Sequence, residues 1–155
     1  MIQRIQSIYL AIVSALLLFL IFASPDLAVI EALNGTYTLT AVEMVVSNGD
    51  LSGNSNVYPL SFLILMSLGF CVYAIFQYKK RKLQMSLVRG VMVGQLLIGV
   101  LVFFYADRMA TSVDSEDITY GVSLIVLLIN VILCILAYRG IKKDDELVRS
   151  ADRLR

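Results

Sequence analysis

The chain alternates between long apolar segments and shorter polar ones. The apolar runs cover roughly residues 5–24, 58–78, 87–106 and 120–138. At 1.5 Å of rise per residue, a helix of about 20 residues matches the ~30 Å hydrocarbon core of a bilayer. The pattern therefore predicts an all-α membrane protein, an antiparallel four-helix transmembrane bundle that forms one domain over residues 1–155.

The polar segment after the first run carries the pattern of a β-hairpin. Asn34-Gly35 suits a type I′ turn, which needs positive φ at both central residues. The arms are 27–33 and 36–46, and the second arm alternates at Tyr37, Leu39 and Ala41 as a half-buried strand does. We predict a hairpin over about 27–46 in this first outer loop. Residues 47–56 and 107–119 have the composition of loops.

The first apolar run has two interpretations, a cleaved signal peptide and a retained span. Cleavage after Ala23 would place Ile21 at the third-last position, and cleavage after Ser24 would place Phe22 there. Signal peptidases require small residues at these positions, and the run is long for a signal segment. We favour a retained span that ends at Pro25, because proline disfavours helix at the residue before it.

The basic residues are distributed very unevenly, although the net charge is only +1. Twelve of the 13 Lys and Arg residues lie in segments 1–7, 79–89 and 139–155, whereas the two other loops contain Arg108 alone with eight acidic residues. Basic short loops stay in the cytoplasm. The sequence therefore predicts a multi-pass membrane protein with both termini cytoplasmic and the hairpin on the outer face of the membrane.

The densest basic cluster is the run Lys79, Lys80, Arg81 and Lys82. We predict that it forms the cytoplasmic turn between the second and third spans and fixes their orientation; binding of anionic lipid head groups is the alternative. Nucleic-acid binding is not expected, because no recognition motif accompanies the four charges.

The polar tail, residues 139–155, predicts a cytoplasmic helix after the fourth span. Leu147, Ala151 and Leu154 recur at i, i+4 and i+7 and form a narrow apolar stripe. Two roles remain open for this helix. It docks a partner through the stripe, or it is a solvated helix that anchors the last span.

Both ends of the chain carry a more specific signal. The start, Met-Ile-Gln-Arg-Ile-Gln, and the end, Leu-Val-Arg-Ser-Ala-Asp-Arg-Leu-Arg, resemble a domain-of-unknown-function family of small four-span inner-membrane proteins of Bacteroidota. The order of spans is similar over essentially the whole chain. The resemblance implies a multi-pass protein of a Gram-negative inner membrane, and hence a periplasmic hairpin. It supplies no activity and no functional residues.

The usual residues of catalysis and ion coupling are missing from the sequence. The chain has no His, and no charged residue lies in the middle of a predicted span. Pumps and exchangers retain such a charge because their mechanism needs it. Cys71 and Cys134 are isolated in apolar runs, where thiols behave as small apolar groups. We therefore expect no enzymatic activity, no metal and no cofactor.

Polar and small residues within the spans indicate helix packing. Gln95 and Asn130 need hydrogen-bond partners in lipid, and Gly90 with Gly94 forms a G-x-x-x-G motif that permits close helix approach. We expect these residues to pack helices together; a polar ligand site and a dimer contact are the alternatives.

Two functional hypotheses follow from these features. The first is a non-enzymatic accessory or assembly subunit of a larger membrane complex, with a membrane-protein partner or a second copy of the chain. The alternative is a binder or carrier of an apolar ligand, a lipid or a quinone, held within the bundle around Gln95 and Asn130.

Overall fold

The computed structural model describes residues 2–32, 35–47, 53–78, 80–114 and 117–153. The described part is mostly helical and contains four apolar helices, as the sequence predicts. They are α1 (Ile2–Phe22), α2 (Tyr58–Phe76), α3 (Arg81–Val113) and α4 (Ser123–Arg153). Each of them is long and apolar enough to cross a membrane.

The helices form an antiparallel bundle in which α1 and α3 each contact both α2 and α4. Each helix buries one stripe of residues. On α3 the buried positions recur every three or four residues, and they include Val88, Val91, Gln95, Ile98 and Val102. This spacing returns to the same face of a helix. Within the apolar runs the remaining faces carry exposed apolar side chains, as expected of helices surrounded by lipid.

Two of the helices are longer than the predicted spans. With 33 residues in α3 and 31 in α4, a rise of 1.5 Å per residue gives lengths of about 50 and 46 Å. Both are longer than the ~30 Å that a helix needs to cross the hydrocarbon layer of a bilayer. The tail predicted as a separate helix is continuous with α4.

The predicted basic turn differs from the structure. The sequence places Lys79 to Lys82 in a turn, whereas α3 begins at Arg81, so that Arg81 and Lys82 belong to its first helical turn. The Lys80 N–H donates to the Gln77 carbonyl oxygen at 3.0 Å, which closes the α2–α3 connection tightly. Lys79 lies outside the described residues.

A small antiparallel sheet covers one end of the bundle. Its strands are β1 (Ala28–Ala32), β2 (Gly35–Leu39), β3 (Glu43–Ser47), β4 (Gly53–Asn56) and β5 (Ile118–Tyr120). Their order in the sheet is β4-β3-β2-β1-β5. The predicted hairpin corresponds to β1 and β2, which pair from Ala28 opposite Leu39 to Ala32 opposite Gly35.

The second arm of the predicted hairpin is divided into two strands. A single strand over 36–46 is expected from alternation, but the chain turns back at Thr40. The Thr40 hydroxyl donates to the Glu43 carbonyl oxygen at 2.8 Å and accepts from the Glu43 N–H at 3.1 Å. This local bonding competes with an extended strand, so β2 ends at Leu39 and β3 begins at Glu43.

The outer strands of the sheet occupy segments predicted to be loops. β4 lies within 47–56, and β5 lies within 107–119 except for Tyr120. β5 pairs with β1, from Ala28 opposite Tyr120 to Ile30 opposite Ile118. The connection between α3 and α4 is thereby joined to the connection between α1 and α2.

The end of α3 supports this sheet. Its last turns contact β1, β2 and β5, and they bury Met109 and Ala110. From the sheet, Ile30 and Leu39 are completely buried. The sheet and the bundle therefore share one apolar core.

Candidate functional site

Among the buried polar residues of the bundle are four that lie within the apolar runs, one on each helix. Ser14, Ser67, Gln95 and Asn130 are all at most 8 % exposed. On α1 and α2, the Leu10 carbonyl oxygen accepts from the Ser14 hydroxyl at 2.9 Å and from the Cys71 thiol at 3.2 Å. Ser14 follows Leu10 by four residues on α1, and Ser67 precedes Cys71 by four residues on α2. Because the two helices are antiparallel, the two serines lie at the same level of the bundle.

The ion pair between Arg81 on α3 and Asp144 on α4 shows how Gln95 and Asn130 are aligned along the two helices. Arg81 Nε lies 3.0 Å from Asp144 Oδ2. Gln95 follows Arg81 by 14 residues, and Asn130 precedes Asp144 by 14 residues. Because helices have a constant rise, the two amides lie at the same level. Ser67 is also close, since a Cβ on Gly94 would lie 2.5 Å from the Ser67 hydroxyl oxygen.

The two amides of this layer have no hydrogen-bond partner within the described part of the chain. Both the nitrogen and the oxygen of the Gln95 and Asn130 side chains are buried and unpaired. Leaving such a group buried and unsatisfied costs about 1–3 kcal/mol. Among the described residues, the two amides of this layer are therefore left without hydrogen bonds.

Gln95 also lines a groove between α3 and α4. The groove has a cavity volume of about 220 Å³. Its walls are apolar apart from Gln95, and they consist of Leu96, Gly99, Val100, Phe103, Leu124, Leu127, Leu128 and Val131. Asn130 is completely buried and is not among these lining residues. The groove can accommodate an uncharged apolar group.

The glycines of α3 have two different environments. A Cβ on Gly90 would contact the Phe70 ring at 3.5 Å, and Gly94 faces Ser67, so the G-x-x-x-G pair faces α2 of the same bundle. A Cβ on Gly99 would meet nothing within 4 Å. The missing side chain at Gly99 leaves the groove open.

The opposite end of the bundle from the sheet is basic. A depression of about 400 Å³ is lined by Lys80, Arg81, Lys82, Leu83 and Asp145. Arg81 is held by its ion pair with Asp144. The predicted basic cluster thus meets the end of α4, which the sequence does not indicate.

The candidate docking stripe is only partly described. Leu147 is 49 % exposed on α4, and its neighbour Val148 is 38 % exposed. Ala151 lies in α4, and Leu154 lies outside the described residues. Val148 joins Leu147 on the described surface although the i, i+4, i+7 pattern does not include it.

The sequence analysis singles out Gln95 and Asn130, and of these Gln95 lines the groove; it does not single out the apolar residues of the groove walls. Of the walls only Gly99 has a recognisable signal, a third glycine on α3 after Gly90 and Gly94. The residues from α4 look like any other span residues, because the groove depends on how α3 and α4 are aligned. Two further buried amides, Gln6 and Gln84, were also missed near the basic end.

The described residues contain no group of three or more His, Cys, Asp or Glu side chains that could hold a metal ion.

Comparison with curated proteins gave no match. The sequence model of one family, described as "Domain of unknown function (DUF4293)", matches residues 2–154. The match includes all four helices and the sheet, and the chain therefore belongs to the DUF4293 family.

Proposed function

We propose that this protein is a non-enzymatic accessory or assembly subunit of a larger complex in a Gram-negative inner membrane. In this proposal the four helices span the bilayer, the sheet is periplasmic and both termini are cytoplasmic. The observation that carries the accessory role is the exposed apolar surface of Leu147 and Val148 on the projecting end of α4.

The charge at the two ends of the bundle supports this orientation. Lys80, Arg81 and Lys82 lie at the same end as Asp144 and the basic part of α4. The sheet end instead carries acidic residues, among them Asp107, Asp114 and Asp117. Basic ends stay in the cytoplasm.

Orientation can be tested by labelling in intact cells. Thr119→Cys and Ser150→Cys place exposed thiols at the sheet end and at the α4 end, whereas Cys71 and Cys134 are buried. A membrane-impermeant maleimide that crosses the outer membrane is expected to label position 119 and to reach position 150 only after lysis. The reverse pattern would contradict the orientation.

The length of α4 supports a docking role. Leu147 lies three residues beyond Asp144, whose carboxylate is tied to α3 by the Arg81 ion pair. From there α4 continues to Arg153. Isolated helical turns are marginal in water and gain stability by packing an apolar face. A partner that covers Leu147 and Val148 would supply this packing.

A single substitution tests the docking role without disturbing the ion pair. Leu147→Glu places a charge in the exposed apolar surface, and Ser150→Glu, at a second exposed position on α4, is the matched control. After extraction in mild detergent, Leu147→Glu is expected to lose proteins that co-purify with the wild-type chain, and Ser150→Glu to keep them. If Leu147→Glu retains the same partners at the same ratio, the docking surface is not used.

A second candidate function is the binding of an apolar ligand, and a specific observation favours it. Gln95 is buried, has no partner among the described residues and lines an apolar groove that faces outward between α3 and α4. The sequence predicts a ligand in the bundle interior near Gln95 and Asn130. The groove instead lies on the side of the bundle, and of these two residues only Gln95 lines it.

A further inference from the structure

We propose that the outer face of α3, near the basic end of the bundle, binds an anionic phospholipid. The phosphate lies against Lys82, Ser86 and Arg89, and an acyl chain follows the apolar residues of the same face. The proposal rests on the bilayer-spanning orientation proposed above, and it is independent of the accessory role.

The first argument is the order of side chains along this face. The residues that recur every three or four positions, and so lie on one side of the helix, are Lys82, Ser86, Arg89, Val93 and Leu96. All five are exposed, and the last two are 56 and 61 % exposed. The face therefore changes from basic to apolar along α3, in the same order as the head group and the acyl chains of a phospholipid.

The second argument is the unbalanced charge of this face. Asp107 is the first acidic residue of α3, and it lies 25 residues after Lys82. Neither Lys82 nor Arg89 forms an ion pair with another described residue, whereas Arg81 is paired with Asp144 on α4. A lipid phosphate would supply the negative charge that this side of the helix lacks.

The third argument is a depression at the start of this face. It has a volume of about 400 Å³ and is lined by Lys80, Arg81, Lys82, Leu83 and Asp145, three positive charges and one negative. Here α3 begins without a side-chain cap and without an acidic residue in its first turn. The first N–H groups of a helix have no intrahelical acceptor and favour an anion. The depression therefore has room for the polar part of a head group beside Lys82.

The fourth argument is depth. The apolar Phe76, which is 72 % exposed, ends α2, and Lys82 already lies in the first turn of α3. The short connection keeps Lys82 close to the apolar end of α2. Head groups occupy about 5–7 Å on each side of the hydrocarbon core. Arg89 lies about 10 Å further along the helix, and long Arg side chains carry their charge to the interface. Both charges can therefore reach the same layer of phosphates.

A soluble phosphate compound and an acidic protein segment are the competing occupants. A soluble phosphate would use the basic residues and leave Val93 and Leu96 uncovered. An acidic segment in the cytoplasm would not reach Arg89, which lies inside the apolar run 87–106. The structure favours the lipid, because of the three it alone combines a phosphate with an apolar chain.

The test is a titration of the full-length chain in mild detergent, followed by native mass spectrometry. The probes are dioleoyl phosphatidylglycerol, dioleoyl phosphatidylethanolamine and glycerol 3-phosphate. The two lipids share their acyl chains and differ in net charge, and glycerol 3-phosphate carries a phosphate without acyl chains. The wild-type chain is expected to bind phosphatidylglycerol more tightly than phosphatidylethanolamine, and glycerol 3-phosphate more weakly than either.

Variants of the two cations locate the bound lipid. Lys82→Gln and Arg89→Gln are each expected to weaken phosphatidylglycerol binding about fivefold, and together about 30-fold. The matched control combines Lys142→Gln with Lys143→Gln, which removes the same charge from exposed positions on α4 at the same end of the bundle. It is expected to bind as the wild type does. Circular dichroism checks that each variant is folded.

Several outcomes would overturn the proposal. They are equal binding of the two lipids by the wild-type chain, displacement of phosphatidylglycerol by an equal concentration of glycerol 3-phosphate, and an equal loss of binding in the α4 control. Unchanged binding in the folded double variant of Lys82 and Arg89 would do the same. If that variant does not fold, the comparison of the two lipids on the wild-type chain still decides.

The accessory role is judged separately. Leu147→Glu is expected to bind phosphatidylglycerol as the wild type does, and the double variant of Lys82 and Arg89 is expected to retain its protein partners. A protein partner that this double variant loses, with no change in lipid preference, would assign the basic face to protein binding and overturn the lipid proposal.

Discussion

Gly121 joins β5 to α4 at a point where the backbone of the α1–β1 connection passes very close. A Cβ on Gly121 would overlap the Asp26 carbonyl oxygen and lie 2.9 Å from its carbonyl carbon. The Gly121 N–H also donates to the Leu27 carbonyl oxygen at 3.0 Å. Both neighbours are backbone atoms, so they cannot rotate away as a side chain would. We therefore predict that Gly121→Ala separates the two connections.

The expected cost follows from these contacts. Overpacking costs about 1–3 kcal/mol, and loss of the hydrogen bond to Leu27 adds about 1 kcal/mol. Gly121→Ala should thus lower the free energy of unfolding by about 2–4 kcal/mol. Gly69→Ala is the control: its Cβ meets open space, and alanine in a helix is up to about 1 kcal/mol more favourable than glycine.

Stability would be measured by titrating the protein from mild detergent into sodium dodecyl sulfate and following helicity by circular dichroism. Hydrogen exchange measured by mass spectrometry on a peptide containing Ile118–Tyr120 adds a local readout. Gly121→Ala is expected to unfold at lower sodium dodecyl sulfate and to lose protection there. Wild-type stability together with undiminished protection of that peptide would refute the reasoning about close approach.

Four further substitutions test contacts of the bundle by the same unfolding assay. Gly94→Leu drives a side chain into Ser67 and should cost about 1–3 kcal/mol; an unchanged midpoint would mean that α2 and α3 do not pack closely there. Arg81→Ala and Asp144→Ala should each cost between the ~1 kcal/mol of an exposed ion pair and the ~3 kcal/mol of a buried one, because the side chains are 24 % and 17 % exposed. Additive effects in the double variant would show that the two residues do not interact. Asn130→Leu should be neutral or stabilising by about 1 kcal/mol, since its amide is buried without a partner among the described residues; a loss of stability would reveal one.

The helices could be predicted from the sequence because each depends on residue types within a short stretch of the chain. A long apolar run has few alternatives, and Pro25 and Pro59 mark where helices end or begin. The pairing of β1 with β2 was equally local, since Asn34-Gly35 lies between two strand-like arms; the turn itself includes Asn34, which lies outside the described residues. Residue types within a short window decided these features.

The rest of the sheet depends on contacts that a short window does not contain. The turn at Thr40 is made by a side-chain hydroxyl within a segment that alternates like one strand. β5 has three residues, too few for a periodic signal, and its partner β1 lies far away in the sequence.

The candidate site could be predicted only in part, because it too depends on contacts between residues that are distant in the sequence. Gln95 and Asn130 stand out because amides are rare in apolar runs. That Gln95 is among the residues lining a groove, while Asn130 at the same level is not, depends on the rotation of α3 and α4 about their axes. One sequence does not determine that rotation.

The pairing of β5 with β1 also dictates an order of events during synthesis. Tyr120 leaves the ribosome 92 residues after its partner Ala28. At 5–20 residues per second this delay is about 5–18 s. During that interval β1 presents an open edge, and α2 and α3 must both be made before the edge can be covered. A nascent chain stalled before β5 therefore displays an unprotected strand, the kind of surface that chaperones and proteases recognise.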